Sequence, residues 1–355
     1  MNTVKKKSVA IYDPNWINPY GVELSSVIAR AGYSVDLWCT TNRRSAPNGV
    51  RLKPRLALGR RAKSGLVALV SRRLIGPVSV FAGSRWRSPL IIVWTRDPWD
   101  ALLFTLRSML GGKTIIIYHN PSSVRDRPGW AGLTERLLLR VSNVCVVHSP
   151  RLAAEISSTT PRIRVAAHPP YRETTLGSLH PATDPDRRAQ TVPVVAFVGA
   201  LRNDKGIEDF VQIAEGAATR WILRVLGPDR VSDATMSALE DYGVTCEHVG
   251  SGDGPTDEVL ISGLRTANAM IAPYRSVTES GSIHLALSLN VPVLAYASPG
   301  VKHIVNPRSM ARSPKEFGQL LSRYLSEPWP TYTATALNLH EKCEEDWKEI
   351  LNESH

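Results

Sequence analysis

The chain has 355 residues, of which 43% are hydrophobic and 21% are charged. This length and composition allow two globular domains with full cores and exclude a disordered or fibrous protein. The four cysteines form no Cys-x-x-Cys pair, so we expect reduced packing residues in a cytoplasmic protein. We expect no transmembrane helix, because no apolar run approaches 18 residues, and the apolar stretch after the basic start is too short for a signal peptide.

The net charge of +11 is unevenly distributed along the chain. Residues 1–170 carry 26 Lys/Arg and 8 Asp/Glu, whereas the rest of the chain carries 17 Lys/Arg and 24 Asp/Glu. Two halves of opposite charge suggest two domains with different partners.

The first half alternates short apolar strands with helices, which predicts a parallel sheet with right-handed crossovers. A helix that ends near Gly32 separates the first two strands. The predicted strands are 9–13, 33–38, 90–94, 114–118, 144–147 and 164–167.

Residues 43–87 interrupt this alternation with a run of arginines and lysines that contains no acidic residue. The cations alternate with apolar stretches such as 66–70, a composition that suits anionic lipid, where each cation contributes about 1 kcal/mol. The alternatives are a solvated loop or a nucleic-acid patch, but no recognition motif accompanies the charge. We therefore predict peripheral contact with an anionic membrane through segment 43–87 and no binding of nucleic acid.

Three histidines follow predicted strands of the first half. His119 and His148 stand where strands end, and His168 comes just after the last strand. The carboxyl ends of parallel strands face the ligand crevice of an open α/β sheet. Each histidine alone would be interpreted as structural, but three at one edge predict at least one functional histidine, and we select His119.

The second half begins after a polar, turn-rich stretch, 172–193, which we interpret as a linker. The Asp-Pro-Asp sequence at 184–186 mimics a metal-binding motif but lies in this linker, so we predict no metal site. Residues 336–355 form an amphipathic helix with Trp347 on its apolar side, and we expect this helix to pack back on the first domain. Further strands are predicted at 194–198, 221–227, 245–250, 269–272 and 291–295.

Two turns of the second half have the composition of a phosphate site. A glycine turn after strand 194–198 carries Arg202 and Lys205, whose cations suit a diphosphate. The Ser-Gly-Ser turn at 280–282 begins a helix and presents backbone N–H groups and the helix dipole. The alternative for the second turn is an ordinary helix N-cap beside Glu279.

The segments FVGALRNDKGIEDF (197–210) and PYRSVTESGSIHLALSLNVPVLA (273–295) resemble two motifs of the GT-B glycosyltransferases, in particular the large retaining family 4. Weaker matches lie at 18–38, 118–120 and 166–171. The resemblance implies two Rossmann-like parallel-sheet domains facing a cleft. It implies that 1–171 binds the acceptor and that 194–335 binds a nucleotide sugar.

The resemblance also implies roles for individual residues. The donor is a UDP- or GDP-linked sugar that enters as a substrate, without a cofactor or a metal. His119 stands near the transferring sugar, and Arg202 and Lys205 stabilise the leaving diphosphate. The implied acceptor-binding residues are Asn18, Tyr20 and Asn120. The implied donor-binding residues are Gly199, Arg202, Lys205, Tyr274, Glu279, Ser280, Gly281 and Ser282.

One departure from the family pattern keeps alternatives open. Most members carry two glutamates seven residues apart; Glu279 approximates the first, and Leu285 stands where the second usually holds the ribose. We expect transfer to a lipid-linked or polysaccharide acceptor at the cytoplasmic face of the membrane. The alternatives are a small soluble acceptor or a catalytically silent partner protein of the same fold, and a sugar-nucleotide epimerase ranks below both.

Overall fold

The structure is a computed structural model in which the chain divides into two compact units. The first unit is Met1–Glu173 with Leu339–His355, and the second is Thr174–Asn338. The residues that the structure describes are 7–14, 19–39, 46–53, 76–95, 98–119, 129–160, 162–171, 191–252, 254–277, 279–329 and 336–354.

The first unit contains a seven-stranded sheet whose strands are all parallel, with the order β3-β2-β1-β4-β5-β6-β7. The central strands are short apolar runs because a parallel sheet is covered on both faces; the four residues of β5 and of β6 are all buried. The strands are β1 Ser8–Asp13, β2 Ser34–Cys39, β3 Val50–Leu52, β4 Leu90–Ile92, β5 Thr114–Ile117, β6 Val144–Val147 and β7 Ile163–Val165.

Helices cover both faces of this sheet. One core includes α1 and α11, and the other includes α2, α3, α4 and α5. The described helices of the first unit are α1 Tyr20–Arg30, α2 Gly76–Gly83, α3 Pro98–Met109, α4 Trp130–Val141, α5 Pro150–Ile156 and α11 Ala336–Glu353, the last of which begins in the second unit.

The C-terminal helix α11 completes the first unit's core. Cys343, Trp347 and Leu351 are fully buried against α1 and the sheet. The Ala167 backbone N–H, just after β7, donates to the Asp346 carboxylate at 2.7 Å, so the helix is also fixed to the edge of the sheet.

The second unit contains a six-stranded parallel sheet with the order β10-β9-β8-β11-β12-β13. The two sheets confirm the prediction of two parallel α/β domains. The strands are β8 Val194–Val198, β9 Trp221–Leu226, β10 Val244–Val249, β11 Ala269–Ala272, β12 Val293–Tyr296 and β13 Met310–Ala311. The α-helices are α6 Phe210–Ala217, α7 Asp233–Glu240, α8 Asp257–Arg265, α9 Gly281–Ser288 and α10 Pro314–Ser326.

Part of the basic segment 43–87 belongs to the fold rather than to a free surface loop. Residues 50–52 form β3, which the sequence analysis missed, and Arg51 and Lys53 both pair with Asp36 of β2. These cations are therefore already partly neutralised within the sheet. Residues 43–45 and 54–75 lie outside the described residues.

Within the described ranges, no helix combines the length and the apolar character that crossing a bilayer requires. The four cysteines are free, and three of them are buried, as predicted for packing residues. Burial raises the pKa of the Cys145 thiol to about 12, so this thiol is unreactive at neutral pH.

Candidate active site

The first turn of the candidate site follows β8 and places Lys205 against the end of that strand. Gly199 has a φ of +107°, and a Cβ at this position would overlap the Lys205 ammonium. A 3₁₀ turn, Asn203–Lys205, then directs the Lys205 ammonium back to the Val198 carbonyl oxygen at 3.4 Å. The backbone conformation at 199 thus favours glycine, and a side chain there would displace the flexible Lys205 ammonium.

Tyr274, which follows the neighbouring strand β11, packs against Lys205. The Lys205 ammonium lies 5.1 Å from the centre of the Tyr274 ring, and the phenol donates to the Val198 carbonyl oxygen at 3.3 Å. Burial lowers the pKa of Lys205, and the Arg202 cation lowers it further, while Asp204 opposes the shift. The site therefore holds a cation that has lost part of its hydration and lacks a full counter-charge.

The second turn brings the start of α9 to the same place. Burial raises the pKa of Tyr274 to about 12, and hydrogen bonding by the Ser282 and Ser280 hydroxyls opposes that rise. Ser280 also caps the helix, accepting from the Ile283 backbone N–H at 3.4 Å. The first N–H groups of the helix, those of Gly281 and Ser282, precede its first hydrogen bonds and lie at its positive dipole end.

The two turns are joined backbone to backbone. Gly206 has a φ of +75°, and a Cβ there would overlap the Pro273 carbonyl oxygen. The Arg275 backbone N–H donates to the Asp204 carbonyl oxygen at 3.0 Å. Turn 199–206 is therefore joined to the segment after β11 that leads to turn 279–282, at the carboxyl ends of the adjacent strands β8 and β11.

Arg202 lies on the outside of the first turn. Its guanidinium is exposed and makes a two-pronged ion pair with Asp204, at 3.0 and 2.8 Å. An exposed pair of this kind contributes about 1 kcal/mol or less. Arg202 is thus near Lys205 but engaged with Asp204, whereas the sequence analysis assigned both cations to the diphosphate.

In the first unit, the three predicted histidines meet around Tyr20. His148 is buried, and its Nδ1 lies 2.8 Å from the Ala166 carbonyl oxygen, which can only accept. Nδ1 of neutral His148 therefore carries the proton, and Nε2 accepts from the Tyr20 hydroxyl at 2.7 Å. The His168 ring lies 5.1 Å from both Tyr20 and His148.

His119 is the partly exposed member of this cluster, whereas His148 and His168 are buried. Its ring stacks on Trp94 at 4.1 Å and meets the edge of Tyr20 at 4.8 Å. Tyr20 itself is fully buried. It packs against the histidines and is not exposed to an acceptor, in contrast to our prediction. Asn18 and Asn120, the other predicted acceptor residues, lie outside the described residues.

Comparisons with known proteins agree with this architecture. No family model matches the chain. The GDP-mannose:glycolipid 4-beta-D-mannosyltransferase of Xanthomonas campestris pv. campestris is 28% identical over 210 residues, 55% of this chain and 53% of the relative. The chain thus matches about half the length of that curated relative.

Two solved structures resemble the whole chain. Sucrose-phosphate synthase of Thermosynechococcus elongatus gives a TM-score of 0.59 at 16% identity, covering 98% of this chain and 94% of the other. HepE of Anabaena, solved with UDP-glucose, gives a TM-score of 0.58 at 11% identity, covering 98% and 95%. The chain has the GT-B fold.

In this GT-B chain, Glu279 is buried beside two histidines that the sequence analysis did not connect with it. Its carboxylate lies 2.6 Å from His284 Nε2 and 3.8 Å from His303 Nε2. Leu285, one residue after His284 on α9, is also buried. Leu285, where the resemblance predicted a second glutamate, therefore supplies apolar packing.

A polar network that sequence analysis missed lies next to the first turn and joins the segments that follow Gly206 and β11 to the end of β12. Arg275 pairs with Glu208 at 2.7 Å and with Asp209 at 2.6 Å, and the Tyr296 hydroxyl donates to Asp209 at 3.0 Å. Asp209 is buried, so a cation and a hydroxyl are needed to compensate its charge. The only sequence signal was an arginine directly after Tyr274.

The corresponding helix start in the first unit is already occupied by a carboxylate. Asp13, at the end of β1, is buried and accepts from the Gly21 backbone N–H at 2.7 Å. A Cβ at Gly21 would overlap that carboxylate. An anionic ligand is therefore better accommodated at α9 of the second unit. Among the described residues, no group of three or more His, Cys, Asp or Glu side chains is placed to hold a metal ion.

Proposed function

We propose that this GT-B protein is a glycosyltransferase that moves a sugar from a nucleoside-diphosphate sugar to a lipid-linked or polysaccharide acceptor. The observation that carries the proposal is the placement of Lys205 and the start of α9 beside the same side chain, Tyr274. A desolvated cation, two hydroxyls and unpaired backbone N–H groups converge within one unit. This set is suited to the diphosphate of a donor.

The chemistry follows from where negative charge develops. As the bond between the sugar and the diphosphate breaks, the leaving oxygen gains charge, and preorganised donors stabilise it without rearranging. Lys205 supplies the cation, and the first turn of α9 supplies oriented dipoles. In our proposal Arg202 leaves Asp204 to contact a phosphate oxygen, because an exposed ion pair is weak. The protein groups perform this step in our proposal without a metal.

We further propose that the second domain, 194–335, binds the donor and the first, 1–171, binds the acceptor, with 172–193 as the linker. The names of similar proteins support the choice of ligands: the Xanthomonas relative is named for GDP-mannose and a glycolipid, and HepE was solved with UDP-glucose. A UDP- or GDP-linked donor and a lipid-linked acceptor are consistent with both. We place the protein at the cytoplasmic face of the membrane as a peripheral protein, with segment 43–87 in contact with lipid.

Retention of anomeric configuration is what the resemblance to family 4 implies. Retention from an α-linked donor gives an α-linked product, whereas the Xanthomonas relative is named for a β linkage. The anomeric coupling constant of the product distinguishes the two mechanisms on this chain.

A second candidate, a catalytically silent partner protein of the same fold, is favoured by Leu285, which replaces a ribose-binding glutamate. A small soluble acceptor in place of a lipid-linked one is the remaining alternative.

Nucleoside diphosphates are expected to stabilise the protein against thermal unfolding without added metal. A ligand at 100 times its dissociation constant stabilises by about 2.7 kcal/mol, enough for a shift of several degrees. The measurement is a thermal-shift panel of UDP, GDP, ADP, TDP and CMP, each with and without EDTA. A shift with UDP or GDP supports the transferase, and the absence of any shift supports the silent partner.

His119→Ala is expected to lower kcat/KM for sugar transfer by about tenfold or more, the loss of one hydrogen bond of about 1.4 kcal/mol to the transferring sugar. The thermal shift by the nucleoside diphosphate should not change, because His119 belongs to the first unit. Steady-state kinetics and the shift assay are measured on the same variant. Loss of the shift together with the activity would contradict the division of roles between the domains.

A further inference from the structure

The outward sides of helices α3 and α4 form an apolar surface on the first unit. The two helices pack side by side, and both cover the same face of the sheet with Phe104, Leu138 and neighbouring residues. Their opposite sides expose large apolar side chains, with Trp99 exposed by 52% and Trp130 by 56%. We call this surface the α3/α4 face; its exposed apolar residues are Trp99, Leu106, Met109, Leu110, Trp130, Leu133 and Leu137.

Nothing comparable exists on the described part of the second unit. Its exposed large apolar side chains are Val192, Tyr242 and Val259, which lie on separate elements. A soluble protein rarely exposes a contiguous apolar surface unless that surface contacts a partner or a lipid phase. The α3/α4 face therefore requires a contact that the described residues do not provide.

The exposed charged side chains of α3 and α4 are all positive. Arg136 and Arg140 are exposed on α4 beside the apolar residues. The two carboxylates of these helices, Asp100 and Glu135, are both buried on the inward sides. The face thus presents cations without exposed carboxylates, which is the pattern of a helix lying on anionic lipid.

The only cation of α3, Arg107, is directed away from the face. It is fully buried, and its guanidinium donates to the carbonyl oxygens of Arg85 at 3.1 Å and Ser88 at 3.2 Å. The exposed large side chains of α3 are therefore all apolar, apart from the indole N–H of Trp99. A protein interface of standard kind would need about one hydrogen bond per 100–200 Å², and this helix offers almost none.

The topology places the tryptophans at the edge of the sheet that carries His119. In a parallel α/β sheet, each crossover helix begins at the carboxyl edge of the strands. Trp99 is the second residue of α3, which follows β4, and Trp130 is the first residue of α4, which follows β5 and His119. Tryptophan is the side chain most suited to the boundary between headgroups and acyl chains.

We propose that the α3/α4 face binds the surface of an anionic lipid bilayer, with Trp99 and Trp130 inserted at the headgroup boundary. Arg136 and Arg140 contact lipid phosphates. This places the carboxyl edge of the first sheet, with His119, next to the membrane. The inference extends the proposed membrane contact of segment 43–87 to a surface of described residues, and it does not depend on sugar transfer.

The test is co-sedimentation of the full chain with vesicles of phosphatidylcholine mixed with phosphatidylglycerol, and with phosphatidylcholine alone. The wild type is expected to bind the mixed vesicles. The double variant Trp99→Ser with Trp130→Ser is expected to lower the partition coefficient by about tenfold or more. Arg136→Gln with Arg140→Gln should weaken binding to mixed vesicles and leave the behaviour with phosphatidylcholine unchanged.

The matched control is Tyr242→Ser with Val259→Ser, which removes exposed apolar area from the second unit and should bind vesicles like the wild type. Thermal unfolding verifies that each variant is folded. The proposal is overturned if the wild type binds no vesicles, if the tryptophan variant binds as well as the wild type, or if control and tryptophan variant lose binding equally. A wild-type dimer that the tryptophan variant converts to a monomer, without vesicle binding, would show a protein partner instead and also overturn it.

This experiment separates the surface from the proposed enzymatic function. Vesicle binding needs no nucleotide, and the shift assay needs no vesicle. If the protein binds vesicles but no nucleoside diphosphate, the membrane role of the α3/α4 face is supported and the transferase proposal is contradicted. If it binds a nucleoside diphosphate but no vesicles, the transferase proposal is supported and the membrane role of the face is contradicted.

Discussion

Lys205→Met is expected to weaken nucleoside diphosphate binding by about 10- to 100-fold without destabilising the protein. The ammonium would make a charge-assisted contact of about 1.5–3 kcal/mol with the diphosphate. In the free protein the same ammonium is largely buried against Tyr274 and Gly199, and this burial lowers its pKa. Methionine has a similar length and removes a desolvated charge, so the free energy of unfolding should stay the same or rise.

The pH dependence of stability provides an independent check on Lys205. The unfolded chain has an ordinary lysine pKa of about 10.4, and the folded protein has a lower one. Between those two values the unfolded state binds more protons, so the wild type gains stability as the pH rises. The difference in the free energy of unfolding between Lys205→Met and the wild type should therefore become smaller at alkaline pH, as measured by urea denaturation.

Arg202→Ala is the control for Lys205→Met, because it removes an exposed cation from the same turn. We expect a smaller loss of diphosphate affinity, since Arg202 has to leave Asp204 first. An equal loss of diphosphate affinity in the two variants would show that Arg202 and Lys205 contribute equally to binding. Unchanged affinity in Lys205→Met would show that the diphosphate binds elsewhere.

Gly206→Ala is expected to destabilise the protein by about 2–5 kcal/mol. A left-handed φ costs a residue with a side chain about 1–2 kcal/mol, and overpacking costs about 1–3 kcal/mol more. Here the added methyl meets the carbonyl oxygen of Pro273, which belongs to the backbone and cannot rotate away. The same shift would separate turn 199–206 from turn 279–282, so diphosphate binding should be lost as well.

Gly254→Ala distinguishes the cost of a left-handed φ from the cost of steric overlap. Gly254 also has a positive φ, +86°, but a Cβ there would meet no atom within 4 Å. This variant should lose only about 1–2 kcal/mol and keep its affinity for the diphosphate. If thermal unfolding shows equal destabilisation of the two variants, the contact between Gly206 and Pro273 does not hold the turns together.

The parallel sheets were predictable because strands such as β5 and β6 are unbroken apolar runs between helices. The strands that were missed, β3 and β13, have three and two residues, too few to show a period. β3 also lies among arginines, and Arg51 pairs with Asp36 of β2, which is 15 residues earlier in the chain. Local composition carries no information about such a partner.

The candidate site was predictable where glycine or serine marks a turn at a strand end, as at Gly199 and Ser280. The meeting of the three histidines followed from topology, since parallel strands end at one edge. The burial of Tyr20 was missed because an Asn-Pro-Tyr sequence is typical of a loop, whereas this tyrosine is the first residue of α1 and turns inward. The network around Asp209 was missed because its members come from segments more than 60 residues apart.

The helix α11 has a consequence for how the chain is made. Trp347 and Cys343 fill the core of the first unit, while the second unit is the continuous stretch Thr174–Asn338. During translation, the ribosome therefore delivers nearly the whole second unit before it delivers the part of α11 that completes the core of the first unit. Domains fold as units as they emerge, so the unit whose synthesis starts first is the one whose folding finishes last.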